Sequence, residues 1–285
     1  MEWGYEVTHD FKGRCEHYAG SGIPFYVCPG TSSWNTLVGR TDNAMGNLQS
    51  AAQNGLEQGA IGYLITDWGD YGHWQPLPTS YLGFAYGAGL AWSFERNNEI
   101  DLISVLDTII FRDDAQVMGK LVYDLGNVYQ MTGPPHINSQ PLATLLRSGT
   151  EYTLEAMKRL ETDMGADFSP ATLRAALQQI DAIMQPLSEA IMQRDDADLI
   201  QEEFVQAADL LLHCANWLLL LQNDPDLSAR ELLNQLDLLI PRQRAVWLAR
   251  NRRGGLEDSM RRIEPLRDAY IEMIGSEVSA GTKTV

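Results

Sequence analysis

The sequence predicts an α/β segment followed by an all-α region, and two observations carry that prediction. From residue 1 to about 95, short apolar runs alternate with helix-like runs, whereas from about 96 to 285 apolar residues recur at three- and four-residue spacing. Composition changes at the same place: five of the seven tryptophans (Trp3, Trp34, Trp68, Trp74 and Trp92) precede residue 95, and the remainder is rich in Leu, Ala, Gln, Glu and Arg.

In residues 1–95 the elements fall into three strand-helix units. "EWGYE" precedes a helix expected from about Asp10 to Ala19. "PFYVCP" leads through "GTSSWNTLVGR" into "TDNAMGNLQSAAQNGLEQG", with Thr41 or Asp42 as N-cap and Gly55 and Gly59 as stops. "AIGYLIT" leads through "DWGDYGHWQPLPT" into "SYLGFAYGAGLAWS". Such alternation implies a parallel sheet, doubly wound or in a barrel, and places the unusual residues after each strand, where ligands bind in βα proteins. An uncovered strand face is expected to carry Val27, Ile61, Tyr63 and Ile65.

The second region reads as a helical bundle or array, broken at "TGPPHINSQ", "NDPDLS" and "RRGG". Pro186 and Pro241 are expected to kink or split their helices, and the tail after Gly275 to fray.

Charge and cysteine usage narrow the function classes. A net charge of −17 lacks the basic footprint that nucleic acid requires. Three dispersed cysteines suit buried thiols in a reducing compartment. The N-terminus "MEWGYEVTHD" has no basic or apolar leader, and "LLLHCANWLLLLQ" is short for a bilayer, so a cytoplasmic protein without membrane partners is expected. No cofactor motif is present, and His9, Cys15 and His17 match no zinc spacing.

The chemistry concentrates in "TDWGDYGHWQ". Sugars are held by flat aromatic faces against their C–H surfaces and by carboxylates or amides that accept hydrogen bonds from hydroxyls. Trp68 and Trp74 offer platforms, Asp67 and Asp70 acceptors, and His73 and Gln75 further polar contacts, while Gly69 and Gly72 allow sharp turns. Trp34 after the second strand and Trp3 with Glu6 after the first extend the same pattern. The competing reading is that these tryptophans pack beneath long loops.

The stretch "FYVCPGTSSWNTLVGRTDNAMGNLQSAAQNGLEQGAIGYLITDWGDYGHWQPLPTSYLGFAYGAGLAW" resembles the C-terminal third of the catalytic barrel of bacterial glycoside hydrolase family 20, the β-N-acetylhexosaminidases. "WLARNRRGGLEDSMRRIEPLRDAY" looks like the helical extension that follows it. The resemblance implies a partial (β/α)8 barrel over residues 1–95, a helical domain over 96–285, and a chain that begins inside a domain. It implies a retaining, substrate-assisted glycosidase acting on N-acetylhexosamine-type carbohydrate. Trp68 and Asp70 match the family's tryptophan-x-acid spacing in a pocket wall, with Asp where Glu is usual. The adjacent Asp–Glu pair that supplies acid/base chemistry is missing, so no catalytic residue is assigned. A missing N-terminal barrel half or a second copy of the chain is the partner expected to cover the open strands.

Overall fold

The computed structural model describes residues 1–133 and 137–281. Strand β1 is Glu2–Trp3, β2 Tyr26–Cys28 and β3 Gly62–Tyr63. The α-helices are α1 (Phe11–Ser21), α2 (Thr41–Glu57), α3 (Tyr81–Trp92), α4 (Phe94–Asn97), α5 (Leu102–Val105), α6 (Met118–Leu125), α7 (Pro141–Leu145), α8 (Thr150–Met164), α9 (Pro170–Met184), α10 (Ala197–Leu221), α11 (Ala229–Arg250), α12 (Leu256–Met260) and α13 (Glu264–Gly281).

This architecture corrects the expected partial (β/α)8 barrel. The protein is 67% helical and only 4% strand. A typical strand has about five or six residues, whereas these have two or three. The sequence explains the shortness. Pro24 and Pro29 bracket β2 and cannot donate to a ladder, and Gly59 and Gly62 weaken the approach to β3. Apolar residues beyond the strand ends pack on helices instead. Ile65 fills the space left by Gly87 of α3, where a Cβ would lie 2.5 Å from its Cδ1.

The three strands are parallel in the order β1-β2-β3, with Trp3 beside Cys28, and Val27 beside both Glu2 and Tyr63. Of the residues expected on the uncovered face, Ile61 just before β3 is exposed, but within the strands the alternation has the opposite phase. Val27 and Tyr63 face the helices: Val27 is buried with Phe11, Cys15, Phe25 and Ala51, and the Tyr63 hydroxyl donates to the Leu48 carbonyl at 3.0 Å. The uncovered face carries Trp3, Tyr26 and Leu64. A shift of one residue moves every side chain to the other face.

The main core runs continuously from Leu37, Leu48 and Leu82 through Phe111 and Leu173 to Trp217 and Tyr270. Helix α10 is its axis, packed between α9 and α11. It has 25 residues, and its most apolar 18-residue window has a mean hydropathy of 1.5, long and apolar enough to cross a membrane, yet 67% of that window is buried inside the protein. Aromatic edges close the core, with Trp217 and Tyr270 5.1 Å apart at 83°. His213 sits there too, buried and hydrogen-bonded to the Tyr270 hydroxyl at 3.1 Å.

Helix ends follow local chemistry. Asp10 caps α1 by accepting from the Gly13 N–H, and Ser228 caps α11 by accepting from Glu231. Helix α2 instead starts after Arg40, and Asp42 is used as an acceptor for the Asn127 and Gln130 amides. Pro241 lies within one unbroken α11, while Pro186 follows the end of α9 in a single 3-10 turn, Gln185–Glu189. Of the expected break at 132–140, residues 134–136 lie outside the described residues, as do 282–285 of the tail.

Candidate functional site

Because the strands are parallel, the segments that leave them emerge along one edge of the sheet. Tyr5 and Glu6 follow β1, residues 29–35 follow β2, and residues 64–70 follow β3. A parallel bridge between Gly30 and Thr66 carries the pairing beyond the strands proper.

Two amides on one face of α2 hold these segments in place. Asn43 and Asn47 are four residues apart and both are buried. Asn47 accepts from the Gly30 N–H at 3.1 Å and donates to the Gly4 and Glu6 carbonyls at 3.0 and 2.9 Å. Asn43 accepts from the Val7 N–H and donates to the Tyr5 carbonyl and the Ser32 hydroxyl. Backbone groups that a sheet would have paired are thus satisfied by side chains.

Asp67 ties the second and third segments together. One carboxylate oxygen accepts from Thr31 and Ser33, at 2.7 and 2.8 Å, and the other from Ser80 at 2.8 Å. Three of its about four acceptor sites are used within the protein. Glu6 is similarly engaged: the buried Arg40 guanidinium donates to both its oxygens, at 3.0 and 2.8 Å, and the Asn138 N–H adds a bond of 2.6 Å. These two expected ligand acceptors therefore position the loops.

Between the segments lies a cleft of about 440 Å³, lined by Trp3, Tyr5, Trp34, Trp68, Asp70 and Asn138 among others. Tyr5 is its hub. Its ring lies 5.7 Å from Trp3, 4.9 Å from Trp34 at 83°, and 6.2 Å from Trp68 at 65°. Gly30 makes this possible, since a Cβ there would stand 2.3 Å from the Trp34 ring and 3.0 Å from Tyr5. Trp34 is fully buried at its base and donates through Nε1 to the Asn138 Oδ1 at 2.6 Å, whereas Trp68 is 47% exposed. The Gln75 amide holds the Trp68 carbonyl at 2.7 Å.

Among the described residues, Asp70 is the one carboxylate that lines this cleft. Its closest side-chain donor is the Asn35 amide at 3.5 Å, which also reaches the Asn138 carbonyl at 3.2 Å. A carboxylate so loosely held keeps acceptor capacity for hydroxyls. Cys28 also lines the cleft, but burial raises its thiol pKa, which argues against a nucleophile.

The structure brings Trp3, Trp34, Trp68 and Asp70 together and sends His73 and Trp74 elsewhere. Tyr71, Gly72 and His73 all have positive φ, reversing the chain after Asp70. Trp74 is consequently buried in the main core, and His73 stands edge-on to Trp247 of α11 at 5.7 Å. Burial lowers the His73 pKa, favouring the neutral ring. Both residues join the loop to the helices and do not reach the cleft. Tyr5 and Asn138 were not anticipated. Tyr5 had a signal, since it is two residues after Trp3 in an extended run, whereas Asn138 comes from a distant segment. No protein-family model matches this chain, and no curated protein matches it.

Proposed function

We propose that the cleft binds a pyranose sugar, and that the chain supplies the substrate-holding walls of a glycosidase of the N-acetylhexosaminidase kind without its acid/base pair. The observation that carries this reading is the convergence of Trp3, Tyr5, Trp34 and Trp68 around the single loosely held carboxylate of Asp70. Aromatic faces take the apolar faces of a sugar ring, while Asp70 and the Asn138 amide group take its hydroxyls. The resemblance to family 20 glycosidases read from the sequence of residues 24–92 alone points to the same substrate class.

Glycoside hydrolysis ordinarily needs two groups, a proton donor and a nucleophile or base. In a substrate-assisted enzyme the substrate's acetamido group replaces the nucleophile but still requires a carboxylate to steer it and an acid to protonate the leaving group. Glu6 and Asp67 are committed to Arg40 and to three hydroxyls, which leaves one available carboxylate. Sugar binding with little or no turnover is the expected behaviour, since losing a positioned acid costs about 10²–10⁴ in rate.

Tryptophan fluorescence during titration with N-acetylglucosamine and its β-1,4-linked dimer tests this, alongside an assay with an aryl N-acetylglucosaminide. Saturable quenching that disappears in Trp68→Ala supports the reading. Absence of saturable binding to any neutral or N-acetylated sugar overturns it, and rapid turnover abolished by Asp70→Asn would make Asp70 the acid.

A further inference from the structure

A second pocket, of about 430 Å³, adjoins Tyr71, the residue after Asp70. It is lined by Tyr71, Thr144, Arg147, Ser148, Gly149, Tyr152, Arg262 and Pro265. Its cations are arranged unusually. The guanidinium carbons of Arg147 and Arg262 lie 5.7 and 5.6 Å from the centroid of the same Tyr71 ring. Neither arginine forms an ion pair with a carboxylate among the described residues. In a chain with 38 acidic and 21 basic residues, two neighbouring guanidiniums without a carboxylate between them make an anion-selective spot. Burial, followed by the charge of Arg262, pushes the Arg147 pKa down to about 10, which leaves Arg147 charged at neutral pH.

Further donors face the same space. Gly149, at the N-cap of the 15-residue α8, contributes no capping side chain, so the first N–H groups of that helix lack the usual internal acceptor. Ser148, the residue before Gly149, is also part of the pocket wall. Arg147 also donates to the Tyr71 carbonyl at 2.7 Å, which fixes its guanidinium at the pocket. The volume exceeds what a bare oxyanion fills, and Tyr152 and Pro265 offer apolar surface for an organic body.

We infer that this pocket binds a small phosphate monoester, its phosphoryl group between Arg147, Arg262 and the start of α8 and its organic part against Tyr152. Two guanidiniums and a helix N-terminus match the three outer oxygens of a phosphoryl group better than the two of a carboxylate. This inference does not depend on sugar binding at the cleft.

Isothermal titration of the full chain with phenyl phosphate and glucose 6-phosphate tests it, with inorganic phosphate as the arm that separates an ester site from a bare anion site. At least one ester should bind saturably and more tightly than inorganic phosphate. Arg262→Gln should weaken that binding about tenfold or more, as expected for a lost charge-assisted contact. Arg262 is exposed, so its variant keeps the fold, which circular dichroism verifies; Arg147→Gln should weaken binding as well. Tyr152→Ala should weaken the ester and spare inorganic phosphate. Absence of saturable ester binding, affinity unchanged in Arg262→Gln, or inorganic phosphate binding as tightly as both esters would overturn the inference.

Discussion

Arg40 and Glu6 form a two-point ion pair in which the guanidinium is 1% exposed and the carboxylate 20% exposed. The pair joins the residue before α2 to the segment leaving β1, and Glu6 also receives the Asn138 N–H. Three distant parts of the chain therefore meet at one carboxylate. Removing one partner of such a pair leaves the other charge stranded in a poorly solvated place. Glu6→Gln should lower unfolding free energy by about 3 kcal/mol, the lower end of the range for broken buried pairs because Glu6 keeps some solvent contact. A urea midpoint unchanged in this variant would contradict that assignment.

Gly30→Ala tests how closely the cleft is packed. The added methyl would stand 2.3 Å from the Trp34 ring, and that ring, 1% exposed, has no room to retreat. Overpacking of this kind costs about 1–3 kcal/mol. The variant should lose stability in that range and also lose the aromatic cleft, seen as an altered near-ultraviolet circular dichroism spectrum with the far-ultraviolet spectrum retained. An unaltered near-ultraviolet spectrum would mean that Trp34 and Tyr5 are not held as described.

The three successive strand-helix units and their parallel order were legible in the sequence, because proline, glycine and apolar alternation act over a few residues. Helical periodicity likewise marked most of α8, α9, α10 and α11. Sheet extent was not legible. "AIGYLIT" has the composition of a strand, but Ile65 is drawn to Gly87 of α3 and Thr66 turns its hydroxyl to the Pro29 carbonyl. Tertiary contacts of that kind override β propensity.

The cleft was half legible. Trp68 and Asp70 do line one space, but not through the extended period-two geometry that the sequence suggested, since Gly69 between them has ψ 38° and Asp70 opens a 3-10 turn. Closeness in sequence misplaces His73 and Trp74, because Tyr71 and His73 adopt left-handed backbone conformations that composition does not announce. The roles of Glu6 and Asp67 depend on Arg40, Ser33 and Ser80, partners 34, 34 and 13 residues away in sequence. Local reading has no access to such pairings.

If the cleft holds a sugar, its residues should contribute unequally. Trp68→Ala should weaken binding by about 1–3 kcal/mol, the range found for aromatic stacking of planar bases by alanine substitution. Gln75→Ala removes the amide that holds the Trp68 carbonyl and should produce a smaller loss without touching the sugar. Asp70→Asn should change the ranking of sugars that differ in one hydroxyl configuration. Equal affinities across all three variants, with the fold intact, would make the loop a scaffold.

His213 should contribute a measurable part of the acid sensitivity, beside His73, whose pKa burial also lowers. The His213 ring is 2% exposed on α10, and burial lowers its pKa from 6.5 to about 4. The unfolded chain therefore binds a proton at a higher pH than the folded chain does. Stability is fully present above about pH 6.5, falls as pH drops from there toward 4, and receives no further loss from this group below that. The slope is about 1.4 kcal/mol per pH unit, which makes the total near 3 kcal/mol. His213→Gln should flatten the stability profile between pH 6.5 and 4 while lowering stability at pH 7 through the lost contact with Tyr270. Urea titrations of both proteins at several pH values in that window would measure it. Parallel profiles for the two proteins would move the acid-sensitive group elsewhere.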